Sequence, residues 1–181
     1  MNITIKTSMT NMMNKKKTLM VMKIIRCTND WFRKGMVMDM NRIILASHGG
    51  MSAGALDTAE LILGEVPNLY AVSTTRDETE TIIQEATRLL ESFSPEDKVY
   101  ILTDVLGGSV NNDMLSLIHE YEDITVICGM NMGLVLSLAT QDEPLTDEEL
   151  EDVIQQSRAQ LVDCTKVLKR ALEEEEEEDD L

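Results

Sequence analysis

The chain has 181 residues, which is room for one ordinary domain with tails, and its net charge at pH 7 is −17. The charge is uneven: residues 1–39 carry +6, residues 40–172 carry −15 and residues 173–180 carry −8. An acidic body repels phosphate backbones and anionic lipid, which disfavours nucleic-acid and membrane-surface binding and predicts partners with a basic face. The three cysteines are widely spaced, as expected in a reducing cytosol, and predict neither disulfides nor a zinc site. No apolar run approaches the ~20 residues of a membrane-spanning helix, so a soluble protein is expected.

Residues 1–39 are predicted to be a separate basic segment. They hold eight of the thirteen methionines, the only tryptophan and no sustained hydrophobic periodicity. Their one apolar run is broken by a lysine and precedes no small-residue cleavage site, which argues against a secretory signal. The residues before Met36, Met38 and Met40 can be encoded by a purine-rich ribosome-binding run. We therefore interpret the segment as translated upstream sequence, with a disordered basic arm as the alternative.

From residue 40 onward, short apolar runs alternate with segments of helical spacing. Strands are predicted at residues 43–46, 69–72, 99–102 and 124–128, and helices at residues 52–63, 78–90, 109–121, 132–139 and 146–158. Continuous apolar runs are typical of strands buried on both faces. The alternation predicts an α/β fold, a doubly wound, mainly parallel sheet of four strands with helices on both faces.

Residues 40–172 are predicted to form this domain, and residues 173–181 an acidic tail. The last predicted helix starts with a capping box from Thr146 to Glu149. The segment 159–172 that follows is ambiguous. The acidic run beyond it repels itself too strongly to pack and is expected to be solvated.

Polar groups follow three of the predicted strands, where each strand ends. The three segments are Ser47-His48-Gly49-Gly50, then Thr103-Asp104 with Leu106-Gly107-Gly108-Ser109, and Gly129-Met130-Asn131. The carboxyl ends of the strands in an open α/β sheet meet at one edge, so these groups are expected to converge. Backbone amides at helix amino termini hold phosphate oxygens, which predicts a phosphate site there.

The converging groups suit a phosphohistidine carrier. A neutral imidazole at His48 is a competent nucleophile, and Asp104 is expected to bind its Nδ1 and leave Nε2 outward. The Gly-Gly-Ser turn at residues 107–109 would stabilise the transferring phosphoryl group. A loop histidine, an N-cap aspartate and an ordinary tight turn are the alternatives. The second histidine, His119, is interpreted as a surface residue, and no metal site or cofactor is predicted.

With these residues placed, the segment from Met40 to Leu172 resembles the enzyme IIA component of the mannose family of the bacterial sugar phosphotransferase system. The matching motifs are Ile44-Leu45-Ala46-Ser47-His48-Gly49, Asp104 with Gly107-Gly108-Ser109 and Asn112, and Gly129 with Asn131. The resemblance implies that His48 accepts the phosphoryl group and that Asp104 orients it. It implies phosphate contacts from Gly49, Gly107, Gly108 and Ser109, supported by Ser47, Asn112 and Asn131.

The resemblance also implies partners and assembly. His48 would receive phosphate from the phosphocarrier HPr and pass it to a IIB component in the cytoplasm, which serves the IIC and IID membrane components. A homodimer that exchanges a late antiparallel strand is implied, and residues 159–163 are where that strand is expected. The family usually has proline where this chain has Val110 and Gly133, which affects loop rigidity more than the transfer step.

Three alternatives stay open on the sequence. A receiver domain would need an acidic pair after the first strand and a lysine after the last, and neither is found. The phosphotransfer subunit of a dihydroxyacetone kinase resembles the same fold and uses the same histidine, but its second loop is shorter and lacks the Gly-Gly-Ser-x-x-Asn pattern. A non-catalytic adaptor, whose phosphorylation state signals to a regulator, is the third.

Overall fold

A computed structural model describes residues 40–76, 79–121 and 123–179, with side chains described through residue 173. The predicted basic segment and the candidate starts at Met36 and Met38 lie outside the described residues. The first predicted residue of the second helix, Glu78, lies outside them as well.

Four strands form one parallel sheet. They are β1 (Asn41–His48), β2 (Leu69–Thr74), β3 (Lys98–Thr103) and β4 (Ile124–Cys128). The strand order is β2-β1-β3-β4, and each neighbouring pair is parallel. The chain reverses its direction of winding between β1 and β3, which are adjacent, so a crevice opens beyond their carboxyl ends. The predicted doubly wound α/β fold is confirmed.

The helices connect and flank these strands. They are α1 (Met51–Leu63), α2 (Ile82–Ser92), α3 (Ser109–Ser116), α4 (Met132–Ala139), α5 (Asp147–Ala159) and α6 (Cys164–Asp179), with a 3₁₀ turn at Leu117–His119 after α3. The predicted capping box of α5 is confirmed, because the Thr146 hydroxyl accepts the Glu149 amide at 3.3 Å. A second capping box, formed by Thr81 and Gln84, starts α2 later than the apolar spacing predicted.

Side chains of β1 alternate between two apolar cores. Ile43 and Leu45 pack on one face with α1, α4 and α5, whereas Ile44 and Ala46 pack on the other with α2 and α3. All four are fully buried. Full burial of an isoleucine or leucine contributes about 1.5–3 kcal/mol, so β1 is a rigid support for the residue at its end.

At the amino end of the sheet, an ion pair joins β1 to the residue before β3. Arg42 Nε lies 2.8 Å from Asp97 Oδ2, and the Asp97 side chain is 1% exposed. Burial alone would raise the pKa of Asp97, but hydrogen bonds from Arg42 and from the Met40 and Ser94 amides hold it below its usual value. This carboxylate is therefore fixed in its charged form.

The chain beyond α5 differs from the predicted arrangement. Residues 160–163 link two helices and pair with no strand in the part of the chain that the structure describes. Exchange of a strand with a second copy stays a prediction. Helix α6 also crosses the predicted tail boundary at residue 172 and continues to Asp179. Glutamate is a strong helix former, so an exposed acidic run is compatible with helical backbone.

Candidate active site

The site lies at the carboxyl ends of the two central strands. His48 is the last residue of β1, and Asp104 directly follows β3. The sheet register pairs Ala46 of β1 with Thr103 of β3, so the two strands end at nearly the same level of the sheet. The sheet thus brings together two residues that are 56 positions apart in sequence.

The histidine and the aspartate form two hydrogen bonds. The His48 amide donates to Asp104 Oδ2 at 2.8 Å, and His48 Nδ1 lies 2.9 Å from the same oxygen. An ionised carboxylate only accepts, so the proton of a neutral His48 ring is on Nδ1, and Nε2 carries a lone pair to which the Ser109 hydroxyl donates. The His48 side chain is 45% exposed while that of Asp104 is 6% exposed. The pair therefore offers a nucleophilic nitrogen to a group that approaches from outside.

The charge state of Asp104 follows from its surroundings. Burial would raise its pKa, but the amide and ring of His48 and the Val105 amide all donate hydrogen bonds to the carboxylate. These bonds outweigh the burial, and the pKa of Asp104 lies below its usual value. The carboxylate is thus charged at neutral pH and can stabilise positive charge on the imidazole.

The Gly-Gly-Ser turn closes over the other side of the imidazole. Ser109 Oγ lies 3.0 Å from His48 Nε2. A Cβ at Gly108 would lie 3.2 Å from His48 Cε1 and 3.1 Å from the Val105 carbonyl oxygen, which is tighter than ordinary packing. Gly107 has a φ of +72°, a conformation that glycine adopts without strain. Glycine at both positions lets the turn approach the ring.

The amides of the three predicted phosphate-binding glycines are already used. The Gly49 amide donates to the Thr74 carbonyl at 2.8 Å, that of Gly107 to Asn111 Oδ1 at 3.1 Å, and that of Gly108 to the Val105 carbonyl at 3.0 Å. Phosphate contact by these glycines stays a prediction, but any such contact has to displace an existing bond.

Unpartnered amides lie one and two residues further along. Within the described part of the chain, the amides of Ser109 and Val110 at the start of α3 have no hydrogen-bond partner, nor do those of Gly50 and Met51 at the start of α1. Free amides at a helix amino terminus carry partial positive charge and bind phosphate oxygens. The first turns of α1 and α3 therefore offer the free, partly positive N–H donors that the glycines were predicted to supply.

The three predicted supporting residues fix the loops around the site. Ser47 is buried, and its Oγ accepts the amide of Ser52 at 2.7 Å. Asn112 Nδ2 donates to the Gly107 carbonyl at 3.3 Å. Asn131 caps α4, since its Oδ1 accepts the Leu134 amide at 3.1 Å. None of the three bonds directly to His48; each bonds within a loop of the site, and a part in phosphoryl transfer stays a prediction.

Sequence analysis missed a buried network behind the second loop. Asn111 is 3% exposed, and its Nδ2 donates to Thr103 Oγ1 at 2.9 Å while its Oδ1 accepts the Gly107 amide. The Thr103 carbonyl in turn accepts the amides of Gly129 and Met130, both at 2.9 Å. One threonine therefore holds the second and third loops together. The position of Asn111 between buried positions of α3 was the signal that could have found it.

The two residues that replace family prolines sit in different surroundings. Val110 is fully buried in the core beneath α3. The Gln160 side chain occupies the place of a Cβ at Gly133, so a larger residue there would require this flexible side chain to move. His119 lies exposed in the 3₁₀ turn after α3, as expected of a surface residue. In the described residues no cluster of histidine, cysteine and acidic side chains could hold a metal.

The fold and the site together define a class: open α/β proteins that present a histidine–aspartate pair at the point where the winding reverses. Residues 42–155 match the protein family described as "PTS system fructose IIA component". This match covers more than half of the chain, and the chain belongs to that family. The resemblance drawn from the sequence is thereby confirmed.

Relatives of known identity agree with this assignment. The mannose-specific EIIAB component of Escherichia coli K12 is 30% identical over 109 residues, which is 59% of this chain and 34% of that protein. The chain therefore matches about a third of the length of this longer relative. The fructose-specific EIIA component of Bacillus subtilis is 27% identical over 112 residues, 61% of this chain and 77% of that protein.

Solved structures share the architecture. A PTS IIA protein associated with the fucose utilization operon of Streptococcus pneumoniae superposes with a TM-score of 0.64 at 26% identity, covering 74% of this chain and 99% of that one. The mannose/sorbose-specific IIA subunit of Enterococcus faecalis superposes with a TM-score of 0.59 at 23% identity, covering 68% and 94%, and shows the fold alone.

Proposed function

We propose that this protein is a phosphohistidine carrier of a sugar phosphotransferase system, with His48 as the residue that is phosphorylated. The observation that supports it most is the bond of 2.9 Å between His48 Nδ1 and Asp104, with Nε2 on a half-exposed ring. Family membership supports the same chemistry. The relatives are named for different sugars, so the property we carry over is the transfer step and not the sugar.

The transfer begins with attack by His48. The Nε2 lone pair forms a bond to phosphorus, the bond between phosphorus and the donor breaks, and its electron pair stays with the donor. The ring becomes positively charged because Nδ1 keeps its proton. Asp104, which accepts that N–H, stabilises the charge and keeps the ring oriented. The second transfer, to the acceptor protein, is the reverse of the first.

The second loop stabilises the transferred group. The Ser109 hydroxyl lies 3.0 Å from Nε2, so it is in reach of a phosphoryl oxygen once the nitrogen has reacted. The free amides of Ser109 and Val110 add donors at the amino terminus of α3, where the helix dipole favours negative charge. In this scheme the protein's own donors meet the phosphoryl charge, and the transfer needs no metal ion.

The partners follow from the family. We propose that HPr donates the phosphoryl group and that a IIB component receives it, serving IIC and IID membrane components that this chain does not contact directly. We place this exchange in the cytoplasm. Among the described residues no helix is long and apolar enough to span a bilayer. The acidic body suits partners with a basic face, and we expect the working form to be a homodimer.

The test is phosphorylation of the full chain by phosphorylated HPr. His48→Ala should accept no phosphate, whereas His119→Ala, which removes the other histidine of the chain, should accept as much as wild type. The label on wild type should be acid-labile and base-stable, as expected for a phosphoramidate. Mass spectrometry of the labelled peptide measures the position of the phosphate.

Three results would contradict the proposal. Phosphate found on Asp104 would indicate a receiver-like protein. Magnesium-dependent labelling that survives His48→Ala would do the same. Transfer from a dihydroxyacetone kinase subunit, with none from HPr, would instead favour the related carrier of that kinase.

A further inference from the structure

A buried asparagine lies behind the loop that closes over the site. Asn111 is 3% exposed in the first turn of α3. Its Nδ2 donates to Thr103 Oγ1 at 2.9 Å, and its Oδ1 accepts the Gly107 amide at 3.1 Å. Thr103 is fully buried and directly precedes Asp104. One amide side chain therefore joins the end of β3 to the Gly-Gly-Ser turn.

The Gly-Gly-Ser turn needs an anchor, because two adjacent glycines give the backbone more conformational freedom than other residues do. The Gly107 carbonyl accepts Asn112 Nδ2 at 3.3 Å, but this bond is exposed, so water competes with it. The bond from the Gly107 amide ends on the buried Asn111 side chain, where water competes less and a hydrogen bond is stronger. Asn111 is therefore the firmer of the two side-chain restraints on Gly107.

We propose that Asn111 is a positioning residue for phosphoryl transfer: by fixing the Gly107 amide, it holds the Ser109 hydroxyl where the phosphoryl oxygens arrive. The inference rests on the proposed carrier function and deepens it. Ser109 Oγ lies 3.0 Å from His48 Nε2, and a donor stabilises a transition state best when it is in place beforehand. A displacement of about 1 Å near a reacting group can cost 10²-fold in rate. The side-chain bonds of Asn111 go to Thr103 and Gly107, so it acts through the turn.

The first test is the kinetics of transfer from phosphorylated HPr to the full-length Asn111→Ala variant. A side chain that is 3% exposed is covered by its own protein, so it does not contribute contacts to a partner. We therefore expect kcat to fall by about 10- to 100-fold while KM for phosphorylated HPr stays at the wild-type value. Rapid-quench labelling over a range of HPr concentrations measures both quantities.

A second buried asparagine, at the other end of the sheet, is the matched control. Asn41 is also 3% exposed, and its Nδ2 donates to the carbonyls of Gln141 and Glu143 at 3.2 Å and 2.7 Å. Asn41→Ala and Asn111→Ala each remove a buried side chain that restrains a loop, so both should lower the urea midpoint of unfolding. Only Asn111→Ala should lower kcat, which separates positioning from a loss of stability.

Substitutions of Thr103 test the same restraint with the Asn111 side chain in place. Thr103→Val keeps the shape of the side chain but removes the acceptor of Asn111 Nδ2, so kcat should fall as it does in Asn111→Ala. Thr103→Ser restores a hydroxyl and should recover most of the lost rate. Adding Ser109→Ala to Asn111→Ala should slow transfer by much less than tenfold, because the hydroxyl that Asn111 positions is already out of place.

Four results would overturn the inference and leave the carrier function standing, since wild type would still be labelled. They are a wild-type kcat in folded Asn111→Ala, an equal fall of kcat in Asn41→Ala, a Thr103→Ser variant as slow as Thr103→Val, and fully multiplicative effects of Asn111→Ala and Ser109→Ala. A wild-type protein that takes no phosphate from HPr would overturn the carrier function, and this inference with it.

Discussion

The two ends of the central strand pair carry similar pairs of side chains with different uses. At the amino end, Arg42 on β1 binds Asp97 just before β3; at the carboxyl end, His48 on β1 binds Asp104 just after β3. Both carboxylates are nearly buried, and both have a pKa below the usual value. The two aspartates thus use one arrangement at opposite ends of β3.

The difference lies in the partner. Arg42 is charged at any physiological pH and also stacks over the Phe93 ring, 5.3 Å from its centre, so its pair holds the two strands together. His48 has a second nitrogen that can react, and its side chain is 45% exposed, against 21% for Arg42. We therefore expect a carboxylate beside β3 to serve structure where its partner is a permanent cation, and to serve phosphoryl transfer where its partner can gain and lose a bond.

The largest expected effect comes from breaking the carboxyl-end pair. Asp104→Asn fills the same space but removes the charge that stabilises the imidazolium. We expect the rate of transfer from phosphorylated HPr to fall by about 10²- to 10⁴-fold, while the variant keeps its fold. Rapid-quench labelling measures the rate. Asp97→Asn, the same change at the other end of β3, is the matched control and should transfer at nearly the wild-type rate.

Breaking the amino-end pair should instead reduce stability. Asp97→Asn leaves the Arg42 guanidinium, only 21% exposed, without its carboxylate, and weakens the bonds from the Met40 and Ser94 amides. We expect a loss of about 2 kcal/mol in the free energy of unfolding, measured by urea denaturation. A smaller loss than that of Asp104→Asn would mean that the structural and chemical ends have been assigned the wrong way round.

The side-chain pair at the carboxyl end of the strands could be predicted from the sequence, whereas the pair at the amino end could not. His48 and Asp104 each follow an apolar run and precede a glycine-rich turn, so the rule for strand ends placed them together. Arg42 and Asp97 are 55 residues apart, and no such motif marks Arg42 at the start of β1 or Asp97 just before β3. Their contact depends on the register of β1 against β3, which no local pattern records.

The hydrogen bonds of the site could likewise be predicted only in part from the sequence. Composition indicated a phosphate-binding turn, but the direction of each amide depends on backbone angles such as the φ of +72° at Gly107. The Gly107 amide donates to Asn111, and the amides of Ser109 and Val110 stay free because these residues begin α3. The sequence identified the loop and named Ser109 in it, whereas the free amide of Val110 was found only from the backbone.

A third substitution sharpens the account of the carboxyl end. Ser109→Ala removes the hydroxyl that lies 3.0 Å from His48 Nε2 but keeps the backbone amide. We expect transfer to slow by about tenfold, the value of one lost hydrogen bond in the transition state. Ser116→Ala on the same helix is the control, since its hydroxyl only donates to the Asp113 carbonyl on the exposed surface. Equal effects of the two changes would argue against a role for Ser109 in transfer.

The smallest effect we expect is in the pH dependence of stability. The pKa values of Asp97 and Asp104 are both lowered by folding, so the unfolded chain takes up protons first as the pH falls. Stability from these groups is complete above about pH 4, the ordinary pKa of an aspartate, and is lost as the pH falls through the lower folded values. When the urea midpoint of unfolding is plotted against pH, the fall on the acid side should be less steep in each asparagine variant than in wild type. The reduction in slope should be larger for Asp97→Asn, because the partner of Asp97 is a permanent cation. Asp57→Asn, on the exposed surface of α1, should leave the slope unchanged. A slope that stays at the wild-type value in the double variant of Asp97 and Asp104 would show that other carboxylates control acid unfolding, and the two ends of β3 would then not share their electrostatic design.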